Sequence, residues 1–170
     1  LDAAFSISDP AGNAQTTAGG SDRSVTFDSV APTLTLEQAT GQADPAKNAS
    51  IQFTLSSSEA LDGTTIAASD FTVTNGSAVT ITGSGSTWTL TTTAAANGAV
   101  TIAPAAGFSV SDTAGNARTT AGGTDRSVTF DSVAPTLTLA QAAGQADPTN
   151  GASIQFTLSS SEALDGTTIA

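Results

Sequence analysis

Phe130-Asp131-Ser132-Val133-Ala134-Pro135-Thr136-Leu137-Thr138-Leu139 reads as strand, joint, strand. Val128 and Phe130 alternate with polar residues before the joint, and Leu137 and Leu139 do so after it, the period of half-buried β-strands. Pro135 has no amide donor and biases Ala134 towards extended backbone, so neither strand runs on through the joint. The chain should pass stiffly from one folded unit into the next. The same ten residues stand at Phe27 to Leu36, with Asp28 at the entrance where the second copy has Asp131.

The identity reaches well beyond the joint. With a register of 103 residues, Ser6–Ala67 and Ser109–Ala170 align over 62 positions, of which 53 are identical. Placing the boundary at the Pro32 joint makes 32–134 one complete unit, 1–31 the end of a preceding unit and 135–170 the start of a following one. Tandem near-identical units are expected of an extended array, of which this chain is then a window. The two partial units lack the counterpart of Ala68 to Ala103, so copies of the chain could not complete each other into a whole unit.

Composition restricts the chemistry. Fifteen Asp and Glu stand against four Lys and Arg, a formal net charge of −11, and the chain has no His and no Cys. Arg23, Lys47, Arg118 and Arg126 are scattered singly, which gives no grip on a phosphate backbone. Without Cys there are no disulfides, thiolate metal sites or cysteine nucleophile. Without His, and with no Ser or Thr in a nucleophile motif beside a base, no catalytic constellation emerges. Paired carboxylates could do glycosidic chemistry, but tandem copies suit a spacer better than a catalyst. No apolar run is long enough to span a membrane, and Leu1-Asp2-Ala3 does not begin a leader with charged and apolar regions, so this segment is expected to stay in solution.

Within 32–134 short alternating apolar runs are separated by turn signals. The runs centre on Leu34 and Leu36, Ile51 to Leu55, Phe71 and Val73, Val79 and Ile81, Trp88 and Leu90, Val100 and Ile102, Phe108 and Val110, and Val128 and Phe130. Turns fall at Asp44-Pro45, Asp62-Gly63, Asn75-Gly76, Gly83 to Gly85, Asn97-Gly98 and Gly115-Asn116. No helix is expected, because the Ala-containing stretches are short and turn-like. Seven or eight strands at this spacing predict an all-β fold, an immunoglobulin-like β-sandwich. Trp88 is in phase with Leu90 and is read as a core residue rather than a ligand-stacking platform. No aromatic platform for a carbohydrate is then evident.

Three motifs in order resemble the bacterial immunoglobulin-like tandem repeats of large surface adhesins, the Bap-like and RTX-adhesin extender modules. They are Ser58-Glu59-Ala60 ahead of Ser69-Asp70-Phe71-Thr72-Val73-Thr74-Asn75-Gly76, then Val110-Ser111-Asp112-Thr113-Ala114-Gly115-Asn116-Ala117, and the Phe130 to Pro135 joint. The family joint usually has Thr after the Asp, where this chain has Ser29 and Ser132. The resemblance implies a stalk at the bacterial cell surface, outside the cell, whose modules often bind calcium at their joints. Its partners would be adjacent repeats of the same chain. Other copies of the chain, in a self-assembling fibre or surface layer, and a glycan or protein ligand are alternatives.

The residues themselves support a cation at the joint. In an immunoglobulin-like order the connection between the second and third strands and that between the last two lie at the pole where the preceding unit enters. The first connection carries Glu59, Asp62 and Asp70, the second Asp112 and Asn116, and the incoming joint Asp28. Converging carboxylates repel unless a cation sits among them, and calcium accepts about six to eight oxygen ligands in irregular geometry. The expected ligands are Asp28, Glu59, Asp70, Asp112 and Asn116, with Asp131 and Glu162 as equivalents at the next joint. Asp62 reads more simply as a turn residue bonding its own backbone, as all of these could. Asp44 and Asp147 would lie at the opposite pole. Glu37 becomes Ala140 and Lys47 becomes Asn150 in the second copy, so those charges are dispensable.

Overall fold

A computed structural model describes residues 4–166. The chain divides into two compact units, Leu1–Val30 and Ala31–Ala170. The break falls one residue before the boundary read from the sequence. No second break separates 135–170 from the rest. Among the described residues there is no α-helix, and hence none that could cross a membrane.

The first unit holds one small hairpin, β1 (Ile7–Ser8) with β2 (Ala14–Gln15), antiparallel. Asp9 shapes its turn by accepting the amides of Ala11 and Asn13 at 3.0 and 2.9 Å.

In the second unit each predicted run contributes to a strand, but the Phe108 and Val110 run gives only Val110–Ser111, and a short strand at Ala117–Arg118 has no predicted run. β3 (Leu34–Gln38), β4 (Ser50–Ser57), β5 (Phe71–Thr74), β6 (Thr80–Ser84), β7 (Thr87–Thr93) and β8 (Gly98–Pro104) come first. Next are the short hairpin β9 (Val110–Ser111) and β10 (Ala117–Arg118), β11 (Ser127–Phe130), β12 (Leu137–Gln141) and β13 (Phe156–Ser160). A four-stranded sheet runs β3-β4-β7-β6 and a three-stranded sheet β11-β8-β5, with antiparallel neighbours throughout. Two three-residue 3-10 turns, Gly63–Thr65 and Ala68–Asp70, lie between β4 and β5.

Alternation along each strand builds one core between the two sheets. Leu34, Leu36, Ile51, Phe53, Leu55 and Leu90 come from the first, and Phe71, Val100, Ile102, Val128 and Phe130 from the second, all buried. Phe108 caps this core edge-on to Phe71, ring centres 5.7 Å apart. Trp88 is half-buried and packs against the core, its ring lying over Gly63, where a Cβ would come within 2.6 Å of the indole. Its Nε1 donates to the Gly85 carbonyl at 3.1 Å. Trp88, expected as a core residue, is thus placed at the edge of the core and not within it.

The segment between β10 and β11 closes against β3. Gly122 exchanges backbone bonds with Leu34 and Leu36, at 2.7 and 2.9 Å, and the Arg126 guanidinium donates to the Leu36 carbonyl at 3.3 Å. Gly123, at φ 109°, passes so close that a Cβ would lie 2.2 Å from the Leu36 oxygen, a place for glycine alone. Further along, Ala46 and Phe130 form a parallel bridge.

The expected strand around Val25 and Phe27 is missing. Ser24-Val25-Thr26-Phe27-Asp28 has the same residues as Ser127 to Asp131, yet it forms no strand, and Val25 and Phe27 are 95% and 87% exposed. β11 is a strand because it pairs with β8, and residues 24–27 have no such neighbour. β12 and β13 repeat the register of β3 and β4, but Leu137, Leu139, Ile154, Phe156 and Leu158 are exposed where Leu34, Leu36, Ile51, Phe53 and Leu55 are buried.

Candidate metal centre

The β9–β10 hairpin is built around Asp112. Its Oδ1 accepts the amides of Ala114 and Asn116 at 2.8 and 2.9 Å, and its Oδ2 accepts the Asn116 side-chain Nδ2 at 2.9 Å. Gly115 supplies the left-handed residue this turn requires, at φ 93°. Asp112 is 2% exposed, and with Thr92 it makes the two buried polar side chains among the described residues. Burial alone would raise its carboxyl, but the bonds from the Asn116 side chain and from the amides of Asn116, Ala114 and Gly115 outweigh it and hold the group below the ordinary carboxylate range. Asp112 is therefore an ionised carboxylate in a buried position.

The connection after β4 is pinned against this hairpin. Leu61 and Asp112 form a bridge, Asp62 N donates to the Ser111 carbonyl at 2.9 Å, and Ser111 N donates to Thr65 Oγ1 at 3.0 Å. That carries Glu59, just past the end of β4, towards Asp112. The chain entering β3 is held beside it: Thr33 N donates to Ser58 Oγ and Ser58 N to the Thr33 carbonyl, both at 3.0 Å. Asp28 shapes the connection ahead of Pro32, accepting the Val30 amide at 3.0 Å.

Carboxylate oxygens of Glu59 and Asp112 lie within 4.8 Å of each other. A cation with bonds of about 2.3–2.6 Å can touch oxygens about that far apart. Two carboxylates and no nitrogen or sulfur donor suit a hard cation. Asn116 adjoins the group through its bond to Asp112.

Not every expected ligand joins them. Asp70 turns back on its own chain, its Oδ2 accepting the Ala67 amide at 2.7 Å, so its carboxylate starts the second 3-10 turn. Asp62 does the same at the first, accepting both the amide and the hydroxyl of Thr64, and these bonds hold its carboxyl below the ordinary range. Asp44 accepts the Thr129 amide at 2.9 Å, at the outgoing end of β11.

The next joint repeats the local geometry. Asp131 accepts the Val133 amide at 3.0 Å as Asp28 accepts Val30, and Thr136 and Ser161 exchange the bonds made by Thr33 and Ser58. Glu162, the counterpart of Glu59, has a buried Oε1 with no hydrogen-bond partner, an acceptor that a cation would satisfy. The clamping roles of Ser58 and Thr65 were not legible, since hydroxyl residues occupy so many positions that nothing marks these two.

No protein-family model, curated protein or solved structure matches the chain.

Proposed function

We propose that this chain is a structural extender of a large repetitive bacterial surface adhesin, acting outside the cell, with calcium stiffening the joints between immunoglobulin-like modules. The strand orders β3-β4-β7-β6 and β11-β8-β5 support the immunoglobulin-like part, because they are the ABED and CFG orders of a constant-type sandwich. The observation that carries the metal part is the approach of Glu59 to Asp112, with Asp28 of the incoming joint as the third ligand on this reading. One ion on all three would tie the connecting segment to the loops of the module it enters. Without it, three carboxylates within a Debye length of about 8–10 Å repel. The role is mechanical and not catalytic, consistent with a chain without His or Cys.

Calcium titration of the 170-residue chain tests this, read by thermal midpoint and by scattering-derived length. Calcium at about 10⁻⁴ to 10⁻³ M, the range of extracellular modules, should raise both, and chelator should reverse the change. Glu59→Gln should shift the response to higher calcium. A midpoint and length indifferent to calcium and to chelator would sink the metal reading. A second reading, a subunit of a self-assembling extracellular fibre, is served equally by the near-identical repeat and its joint. A carbohydrate-binding module gains no such support, since Trp88 is packed over Gly63.

A further inference from the structure

We propose that Asn97 latches the outgoing joint to the module it leaves, so that the rigid part of a module runs through Ser132 and any bend is left to Val133-Ala134-Pro135. Asn97 Oδ1 accepts both the Ser132 amide at 3.1 Å and the Ser132 hydroxyl at 2.9 Å, and its Nδ2 donates to Asp131 Oδ1 at 3.4 Å. A backbone amide can only donate, which puts the oxygen of Asn97 on the Ser132 side and its nitrogen on the Asp131 side. These bonds cross 34 or 35 residues of sequence, so they tie the joint to the body of the module and not to its own neighbours. Every partner lies within 32–134.

The latch stands on a held support. Asn97 lies on the connection from β7 to β8, where the chain leaves the four-stranded sheet for the three-stranded one. Asn75, after β5, fastens that connection. Its Oδ1 accepts the Ala96 amide at 3.1 Å, its Nδ2 donates to the Ala96 and Ala99 carbonyls at 2.8 and 3.3 Å, and its own carbonyl accepts the Ala95 amide at 3.0 Å. Asn75 does this from a left-handed backbone, φ 58°, which Asn adopts more readily than most residues. On the other side of the joint the β3–β4 connection holds Asp131, whose amide donates to the Ala46 carbonyl at 2.9 Å. Asp131 and Ser132 are thus gripped between two connections. Beyond them the Val133 amide turns back to Asp131 at 3.0 Å, and the following bond to a distant residue, among the described residues, is that of Thr136 to Ser161 in the next unit. Of the three residues between, Pro135 fixes its own φ and biases Ala134 to extended backbone, which leaves Val133 the freest. The inference builds on the extender reading but needs no cation.

The test is nuclear magnetic resonance of the 170-residue chain in chelator, where the metal reading plays no part. Hydrogen exchange should show the Ser132 amide protected. Asn97→Ala, a change on an exposed side chain, should cut that protection by about tenfold, the loss of one hydrogen bond, and leave the Asp131 amide unchanged because Ala46 holds it. Asn97→Asp keeps the acceptor for Ser132 but sets a second carboxylate against Asp131, so it should lose protection too. Adding Asp131→Asn to it exchanges donor and acceptor and should restore the protection, a recovery that a general loosening of the turn would not give. In backbone relaxation the order of β11 should continue through Ser132 and fall at Val133, whereas in Asn97→Ala it should fall already at Ser132. An unprotected Ser132 amide would overturn the proposal, as would protection lost equally at Asp131, or a double variant no better than Asn97→Asp alone. Order undiminished at Val133 and Ala134 would overturn it as well, by placing the bend elsewhere. A chain that meets these expectations yet ignores calcium would leave the latch standing and the metal reading refuted.

Discussion

Asp112 shows how much one side chain can organise. Three bonds from its own turn keep it ionised although it is almost wholly buried, in a hairpin whose Val110 is buried in the core. Its folded carboxyl lies below the ordinary value, so its contribution to stability is present above the unfolded pKa, about 3.9, and is lost as pH falls through the folded value. Asp112→Asn should therefore lower the thermal midpoint at pH 7 in chelator and flatten its decline between about pH 5 and pH 3, followed by the fluorescence of Trp88. An unchanged acid limb would show that the turn bonds do not persist in solution. Gly123→Ala meets both a left-handed backbone and the Leu36 oxygen. It should cost at least about 1 kcal/mol in denaturant unfolding.

Strands make the sharper contrast, because the same residues occur in two settings. Phe53 on β4 is fully buried between the sheets, and Phe156 on β13, with the same neighbours in sequence, is 62% exposed. Phe53→Ala should cost about 3–5 kcal/mol, and Phe156→Ala, measured at high dilution, only about 0.5 kcal/mol or less. Comparable losses at both sites would mean that β13 is covered in solution. Ser24 to Asp28 and Ser127 to Asp131 carry the same lesson: one pentapeptide is an exposed connection in the first copy, and in the second it forms a strand paired with β8 that buries Val128 and Phe130. Alternation shows which face a strand would bury, but not whether a partner is there to bury it.

For the whole molecule, the decisive quantity is charge. A net −11 on 170 residues, with the Glu59 and Asp112 carboxylates drawn together, makes the compact state sensitive to screening. In chelator, raising salt from about 10 mM to about 150 mM shortens the Debye length from about 30 to about 8 Å and should raise the thermal midpoint. With calcium bound, that salt dependence should largely vanish, because the ion has already neutralised the cluster. A midpoint equally salt-dependent with and without calcium would place the repulsion elsewhere.

The sequence by itself determined the strands of 32–134, the positions that turn inward and the residues able to hold a cation, because these depend on period, turn chemistry and donor type. It set Asp62 aside as a turn residue, but it could not separate Glu59 and Asp112, whose oxygens converge, from Asp70, which folds back on its own 3-10 turn. All three are acidic residues in or beside turns, and they differ only in which segment the hydrogen bonds of Ser58, Thr65 and Ser111 bring alongside. Only the tertiary structure decided that, and only it decided that Phe130 is core while Phe27, with the same neighbours, is not. Burial belongs to a pair of surfaces, and a sequence describes one of them at a time.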